Sequence, residues 1–517
     1  MDNKTVIAIV LSMMVLISFQ YFYSKEIKPP QTAPSPAANT AASGTAANAV
    51  KAAPGVPVPA TPSTVPEKII TVSTGDYTAT FTTLGGLPTS WVLKKYESEK
   101  GHKNKNVNIL AEPGTPPALA IGWGGNYQGG MLNFSTSQGN ITLNKNNNTG
   151  TLVFEYSSGG ISIRRTYTFH DGSYIVGLRD EVSGLPDYQI TMGPDFGIYS
   201  RTEKGVHTGP VLLSDSRTME INPKKLEGVV SYSGNIKWIA QEDKYFCAAL
   251  VPVSKMDAAR AWAEKGAALI SFQAKSPSVE EFKLYAGPKE TSYLEKAGAG
   301  LQYIVDFGFF SVISRPIFWF LKQIHSVVGN YGWAIIILTI VIRIPFIPLV
   351  MKGQTSMRKF QAIQPALQEI RQKYKKDPQR MQKEMMELYK KHKVNPMGGC
   401  LPMLLQIPVF FALYKVLLLA IELRGAPWAF WITDLSHKDP YYVLPIIMGI
   451  TMLVQQKMTP TMGDPKQQKM MMLMPVIFTV MFLNFASGLV LYWLVNNLLS
   501  IAQQAYVNKK FKAATSA

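Results

Sequence analysis

The sequence predicts a polytopic α-helical membrane protein with six transmembrane helices and a large β-sandwich domain. Apolar, nearly uncharged runs of bilayer length occur once at the N-terminus and five times after Tyr331. Between them, Ile69 to Ala286 alternates apolar and polar residues in short stretches split by Gly and Asn turns. The net charge of +18 is concentrated in two of the loops between the C-terminal runs and in the tail.

The first run, 1–23, begins beside Lys4. Its end, Tyr21-Phe22-Tyr23-Ser24-Lys25, offers no small-x-small cleavage site, so it reads as a signal anchor and not a cleaved signal peptide. Residues 24–66 are rich in Pro, Ala, Thr and Ser, as in Pro54-Gly55-Val56-Pro57-Val58-Pro59, and form a flexible or polyproline-like tether. The all-β domain follows at 67–305. Its clearest strands are Tyr77 to Thr82, Gly150 to Tyr156 and Ile161 to Phe169, the last closed by a His170-Asp171-Gly172-Ser173 turn.

Residues 306–330 mix aromatics with a few polar groups. They suit an amphipathic helix lying along the bilayer, or one packed under the β-domain. The remaining spans are placed at 331–351, 401–420, 441–457, 470–486 and 488–507, with a basic tail at 508–517. Segment 352–400 reads as a basic helical hairpin. Phe360, Ile363, Leu367, Ile370 and Tyr374 recur at three and four residues, Asp377-Pro378 starts a second helix carrying Met381, Met385 and Leu388, and Pro365 marks a kink. Its outer faces include Arg358, Lys359, Lys373, Lys375, Lys376 and Arg380.

The hairpin, the Lys457 to Lys469 loop and the tail are basic, whereas Glu422 to Asp439 is net acidic. The positive-inside rule therefore places the three basic segments in the cytoplasm, and parity places both termini there and the β-domain outside. Cys247 and Cys400 then face opposite compartments, so no disulfide framework is expected, and no metal-ligand spacing accompanies them.

Arg343 is the residue that asks for a function. It sits within the Trp333 to Met351 run, where a guanidinium costs about 2.5 to 3.5 kcal/mol on insertion scales unless it lies in a wet cavity or opposite a partner. Three readings apply. It snorkels to the interface, it forms the midplane substrate site of a secondary transporter, or it meets an acid that arrives with a client. No internal repeat and no carboxylate inside the last five spans supports a transporter cycle. Thr339 stands one turn before Arg343, and Gln406, Gln455, Gln456, Asn484, Asn496, Asn497, Ser500, Gln503 and Gln504 are available to line a wet groove or to bond between helices. The runs Tyr441 to Gln456 and Met470 to Ala486 reach only about 25 Å, which thins a bilayer of about 30 Å around them.

Several separated motifs carry a resemblance. Asn395-Pro396-Met397-Gly398-Gly399-Cys400-Leu401-Pro402, Gln406 to Tyr414, Asp434-Leu435-Ser436 with Asp439-Pro440-Tyr441-Tyr442, Met474-Pro475-Val476-Ile477-Phe478 and Ser487 to Trp493 resemble the YidC/Oxa/Alb membrane protein insertases of the Gram-negative YidC type. The resemblance covers the whole chain. It implies a mutarotase-like periplasmic β-sandwich and a five-helix insertase core in the bacterial inner membrane, with a groove open to cytoplasm and lipid. It also implies insertion and folding of nascent membrane proteins, alone or with the Sec translocon, without ATP, cofactor, metal or catalytic residue. Arg343 falls at the family's groove arginine, Thr339 at a neighbouring threonine position, and Trp493 at a position usually held by tyrosine, so a hydroxyl is lost there. Gln406 and Asn496 complete the expected groove set.

The basic, Met-rich hairpin is a solvated face near anionic lipid, or a docking element for clients, ribosomes and the signal recognition particle. Sec accessory subunits are the partners that the resemblance implies for the periplasmic domain. A sugar enzyme would need converging His and carboxylate groups that His102, His170 and His207 do not announce.

Overall fold

The computed structural model describes residues 66–98, 105–111, 114–124, 126–201, 205–392, 401–458 and 465–516. The expected signal anchor at 1–23, nearly all of the tether, His102 and Cys400 lie outside them.

The alternation read in the sequence builds two facing sheets. In Ile161–His170 the inward positions Ile161, Ile163, Tyr167 and Phe169 are buried while their neighbours face outward. A five-stranded sheet runs Asn106–Asn108, Leu87–Glu97, Tyr77–Thr82, Ile69–Ser73, Ile141–Thr142, antiparallel except for the last pair. The ladder of a twelve-stranded sheet runs Ile121–Gly122, Tyr188–Thr191, Ala267–Ala274, Met256–Glu264, Val230–Glu242, Phe246–Pro252, Ser278–Pro288, Ile175–Ser183, Ile161–His170, Thr149–Ser158.

Aromatic side chains join the two layers. Phe81 of the smaller sheet packs on Tyr167 at 4.8 Å and Phe169 at 5.7 Å, and Tyr167 donates its hydroxyl to the Gly86 carbonyl at 3.0 Å. Gly86 has φ +63°, and a Cβ there would lie 3.0 Å from Phe154 Cβ, so the turn tolerates only glycine. One inward position of Ile161–His170 holds Arg165. Its cross-strand partner is Asp180, bound through Nε and Nη2 at 2.7 Å each, and Nη1 donates to the Leu119 carbonyl at 2.8 Å. A buried charge persists because each guanidinium nitrogen is engaged and the carboxylate of Asp180 neutralises it.

After the last strand, a short helix α1 (Thr291–Ala297) leads to α2 (Ser311–Val328). Ser314, Ile317, Phe318 and Leu321 face inward, and Val312, Trp319, Phe320 and Val327 face outward. The inner face packs on the helical core and not under the β-domain alone, since Ser314 Oγ donates to the Ala412 carbonyl at 3.1 Å.

The core comprises α3 (Tyr331–Arg343), α4 (Ile347–Ala362), α5 (Gln364–Lys373), α6 (Pro378–Lys391), α7 (Leu401–Leu419), α8 (Val443–Met458), α9 (Pro465–Phe482) and α10 (Ser487–Ser516). A 3-10 turn, Ile344–Phe346, joins α3 to α4 where Pro345 removes a backbone donor. Among the described residues one helix, the joined Tyr331–Ala362, is long and apolar enough by itself to cross a membrane; Gln406–Leu419, Val443–Met458 and Met472–Phe482 are shorter apolar helices.

Three features add detail to the expected layout. The helix begun at 331 does not stop at 351 but runs to Ala362, because charge at a water interface does not end a helix that lacks a stop signal. The last helix likewise continues through the tail to Ser516. Pro365 is not a kink within a helix: the chain breaks at Ile363 and Pro365 sits in the first turn of α5, where its missing N–H is harmless. The hairpin is therefore α5 and α6, with Asp377 capping α6 through Arg380 N at 3.0 Å. Ile363 and Leu367 pack with Phe360, Met385, Leu388 and Tyr389 to hold it.

A loop residue ties the β-domain to this core. Arg424 lies over the rings of Phe246, Tyr245 and Tyr199 at 5.3, 5.8 and 5.9 Å, and donates to the Glu97 carbonyl at 2.9 Å. Asp243 fixes that socket by accepting the backbone N–H groups of Tyr199, Ser200, Tyr245 and Phe246 at 2.7 to 3.0 Å.

Candidate functional site

Arg343 ends α3 and is 9 % exposed. Its side chain crosses to α10, where polar residues recur at 496, 500 and 503, a spacing that puts them on one helical face. Nη1 donates to Asn496 O at 2.8 Å and Asn496 Oδ1 at 2.5 Å; Nη2 donates to Ser500 Oγ at 2.6 Å and Gln503 Oε1 at 3.0 Å; Nε donates to Gln503 Oε1 at 3.3 Å. All five guanidinium donors are engaged, and every acceptor is neutral. Gln406 of α7 extends the network, its Nε2 donating to Asn496 Oδ1 at 3.0 Å.

The absence of acid here is a property of the helices. No Asp or Glu occurs in α3, α4, α7, α8, α9 or α10. Neutral dipoles solvate the charge without cancelling it, so the site keeps a field that attracts an anion. The Ser500 hydroxyl is bonded to Arg343 and to the Asn496 carbonyl, neither of which can act as a general base toward it.

The other expected groove residues divide. Thr339 is buried, but its hydroxyl donates to the Ile335 carbonyl at 2.7 Å on its own helix, so it does not join the Arg343 network. Trp493 packs against Phe410 at 4.9 Å, Phe482 at 5.0 Å and Phe478 at 6.1 Å, an aromatic wall between α7, α9 and α10 next to the polar site. Tyr492, one turn before Asn496 and buried beside Phe410, supplies the hydroxyl on this stretch; the sequence reading missed it by assigning the aromatic role to Trp493. Asn497 and Gln504 turn to another face, with Asn497 Nδ2 donating to Thr451 Oγ1 at 3.3 Å and Gln504 Nε2 to Asn508 Oδ1 at 2.9 Å. Asn484 is exposed in the turn between α9 and α10.

Of the expected hairpin cations, Lys373, Lys375, Lys376 and Arg380 are exposed on α5, α6 and their connection. Arg380 and Lys373 flank the Tyr374 ring at 5.2 and 5.5 Å. Lys359 is exposed on α4. Arg358 is a correction: it lies on α4, half-buried, with Nε donating to Asn508 Oδ1 of α10 at 2.8 Å and Nη1 to Gln361 Oε1 at 3.1 Å. Its charge is used to join two helices, not to coat the hairpin.

The two described β-domain histidines, His170 and His207, are engaged locally. His170 Nδ1 lies 3.2 Å from Thr149 Oγ1, and His207 Nε2 lies 3.1 Å from the Pro210 carbonyl, with burial lowering its pKa. No group of three or more His, Cys, Asp or Glu that fits a metal ion occurs among the described residues.

Residues 69–320 match the family model described as YidC periplasmic domain, and residues 323–514 match the one described as 60Kd inner membrane protein. The membrane protein insertase YidC of Geobacter metallireducens is 41% identical, covering 99% of this chain and 99% of that protein. A crystal structure of an active YidC insertase, with its first transmembrane domain resolved, aligns over 83% of this chain and 90% of its own at 17% identity and a TM-score of 0.37. A galactose mutarotase related enzyme from Lactobacillus acidophilus aligns over 43% of this chain and 97% of its own, at 10% identity and a TM-score of 0.28. The transporter alternative finds no support among these relatives.

Proposed function

Since the chain belongs to the YidC family of membrane protein insertases, we propose that Arg343, held by α10, is the seat where an incoming client's polar segment is received. The protein is an inner-membrane insertase with a periplasmic β-domain, acts on nascent membrane proteins, and is not an enzyme. The observation that carries the reading is the guanidinium ringed by neutral acceptors in a set of helices without a single carboxylate. A fixed internal acid would cancel the charge; leaving it uncancelled reserves it for an acid that passes through.

In this reading the chain spans the membrane six times, with both termini and the α5–α6 hairpin in the cytoplasm. A client's hydrophilic tail enters from the cytoplasm and meets Arg343, while its apolar helix slides along α7 and α9, past the Trp493 wall, into lipid. Hydrophobic burial drives the step at about 0.8 kcal/mol per CH₂, and the membrane potential adds about 2.3 kcal/mol per charge per 100 mV on acidic tails. Helix α8 has 16 residues and so reaches about 24 Å, which supports local thinning of the bilayer. The exposed cations of the hairpin receive ribosomes and the signal recognition particle, Sec subunits meet the periplasmic domain, and Lys359 lies near anionic headgroups.

Purified full-length chain in liposomes tests this with a small single-spanning client. Insertion is expected above that of empty liposomes, and Arg343→Ala and Arg343→Glu are expected to slow acidic-tailed clients more than neutral-tailed ones, with Arg343→Lys between them and wild type. Equal insertion by all four proteins on both clients would reduce Arg343 to an interfacial anchor.

A further inference from the structure

The acceptors around Arg343 are not held alike. Asn496 is tied elsewhere, its carbonyl to Ser500 Oγ at 2.8 Å and its amide oxygen to Gln406 Nε2 at 3.0 Å, and the Ser500 hydroxyl is fixed by that same bond. Gln503 has no second tie. Its oxygen takes the Nε and Nη2 protons at 3.3 and 3.0 Å, whereas its amide nitrogen is buried without a hydrogen-bond partner among the described residues. Turning the amide over does not help, because it would point N–H at N–H.

The Nε and Nη2 donors form an edge on which a carboxylate makes two parallel charge-assisted bonds. Here one neutral oxygen spans that edge, at greater lengths than the 2.5 to 2.8 Å of the Asn496 and Ser500 contacts. We infer that Gln503 is the displaceable occupant of a carboxylate seat on Arg343. An acidic side chain of the client takes the Nε and Nη2 protons as Gln503 swings out, while Nη1 stays on Asn496 and the second Nη2 proton stays on Ser500. This rests on the reading of Arg343 as the client's receptor and adds the residue that makes it selective. A client carboxylate replaces two long bonds to one neutral oxygen with a bidentate ion pair, and a neutral tail has no such exchange to make. Gln503 is thus a specificity-determining, positioning residue.

The test uses full-length protein in vesicles with the membrane potential abolished by an ionophore, so that the field does not act on tail charge. Two clients differ only in one tail residue, Glu or Gln. Gln503→Glu puts a resident carboxylate on the same edge and is expected to lower the ratio of acidic-tail to neutral-tail insertion about tenfold, the size of one charged hydrogen bond. Gln503→Met keeps the length, frees the edge and is expected to raise that ratio. If both variants change the two clients in equal proportion, Gln503 only packs and the inference is overturned. If Arg343→Ala leaves the ratio unchanged, the receptor reading itself fails and takes this inference with it.

Discussion

Glu422 provides a pH test of the junction between the β-domain and the helical core. It stands in the Ile421–Leu423 turn after α7, two residues before Arg424, with Oε1 buried and lacking a hydrogen-bond partner among the described residues. Burial, reinforced by Glu290 and opposed by its own backbone N–H and by Lys322, pushes its pKa from 4.5 up to about 7. A carboxyl group whose folded pKa is raised holds its proton more tightly when folded, so it stabilises the fold at low pH. That contribution is lost as pH rises through about 7. At about 1.4 kcal/mol per unit, the loss between pH 5 and pH 8 is about 2 to 3 kcal/mol. Glu422→Gln imitates the protonated form. The variant is expected to lie within about 1 kcal/mol of the parent at pH 5 and to be about 2 to 3 kcal/mol more stable at pH 8, a difference of roughly 2 to 3 °C in the unfolding midpoint of a chain this long. Thermal scans of the full chain in detergent at pH 5, 6, 7 and 8, followed by tryptophan fluorescence, measure this. A variant that keeps one constant offset from the parent at every pH refutes the assignment of the titration to Glu422.

Two further outcomes concern stability alone. Asp180→Ala strands Arg165 in the sandwich and is expected to cost about 3 to 5 kcal/mol, whereas replacing the pair by Met and Leu costs much less, as denaturant titration of the two proteins would register. A Cβ on Gly449 would fall 2.1 Å from Thr479 Oγ1, so Gly449→Ala is expected to push α8 from α9 at about 1 to 3 kcal/mol, with Thr479→Ala recovering part of it in the same thermal assay.

Much of the architecture was legible because it depends on solvent partition. Alternation in Ile161–His170 identifies a half-buried strand, and the apolar runs locate α3, α7, α8, α9 and α10. Helix ends were not legible from apolarity. Hydropathy records where the chain meets water, while α4 and α10 continue beyond it on hydrogen bonds that water does not break. Arg343 announced itself as a charge among aliphatics, but its acceptors required orientation. Asn496 and Asn497 are adjacent in sequence and diverge by about 100° on the helix, so only the structure separates the residue that holds Arg343 from the one that faces Thr451. Trp493 keeps the aromatic surface expected of it, while its neighbour Tyr492 lies buried on an adjacent face against Phe410. Arg358 looked like one more hairpin cation because sequence alone does not show that α10 reaches it.

The two arginines of the joined α3–α4 segment both grip α10, Arg343 through Asn496, Ser500 and Gln503 and Arg358 through Asn508. Along α10 these attachments are about 18 Å apart at helical rise, from Asn496 to Asn508. A joint with one rivet turns; a joint with two does not. While both hold, the helices neither slide nor rotate past each other, and a pull on the C-terminal end of α10 acts on both attachments. In the proposed exchange only Gln503 leaves the upper rivet, while Asn496 and Ser500 keep their hold on Arg343, so the seat changes its occupant without the two helices losing their alignment.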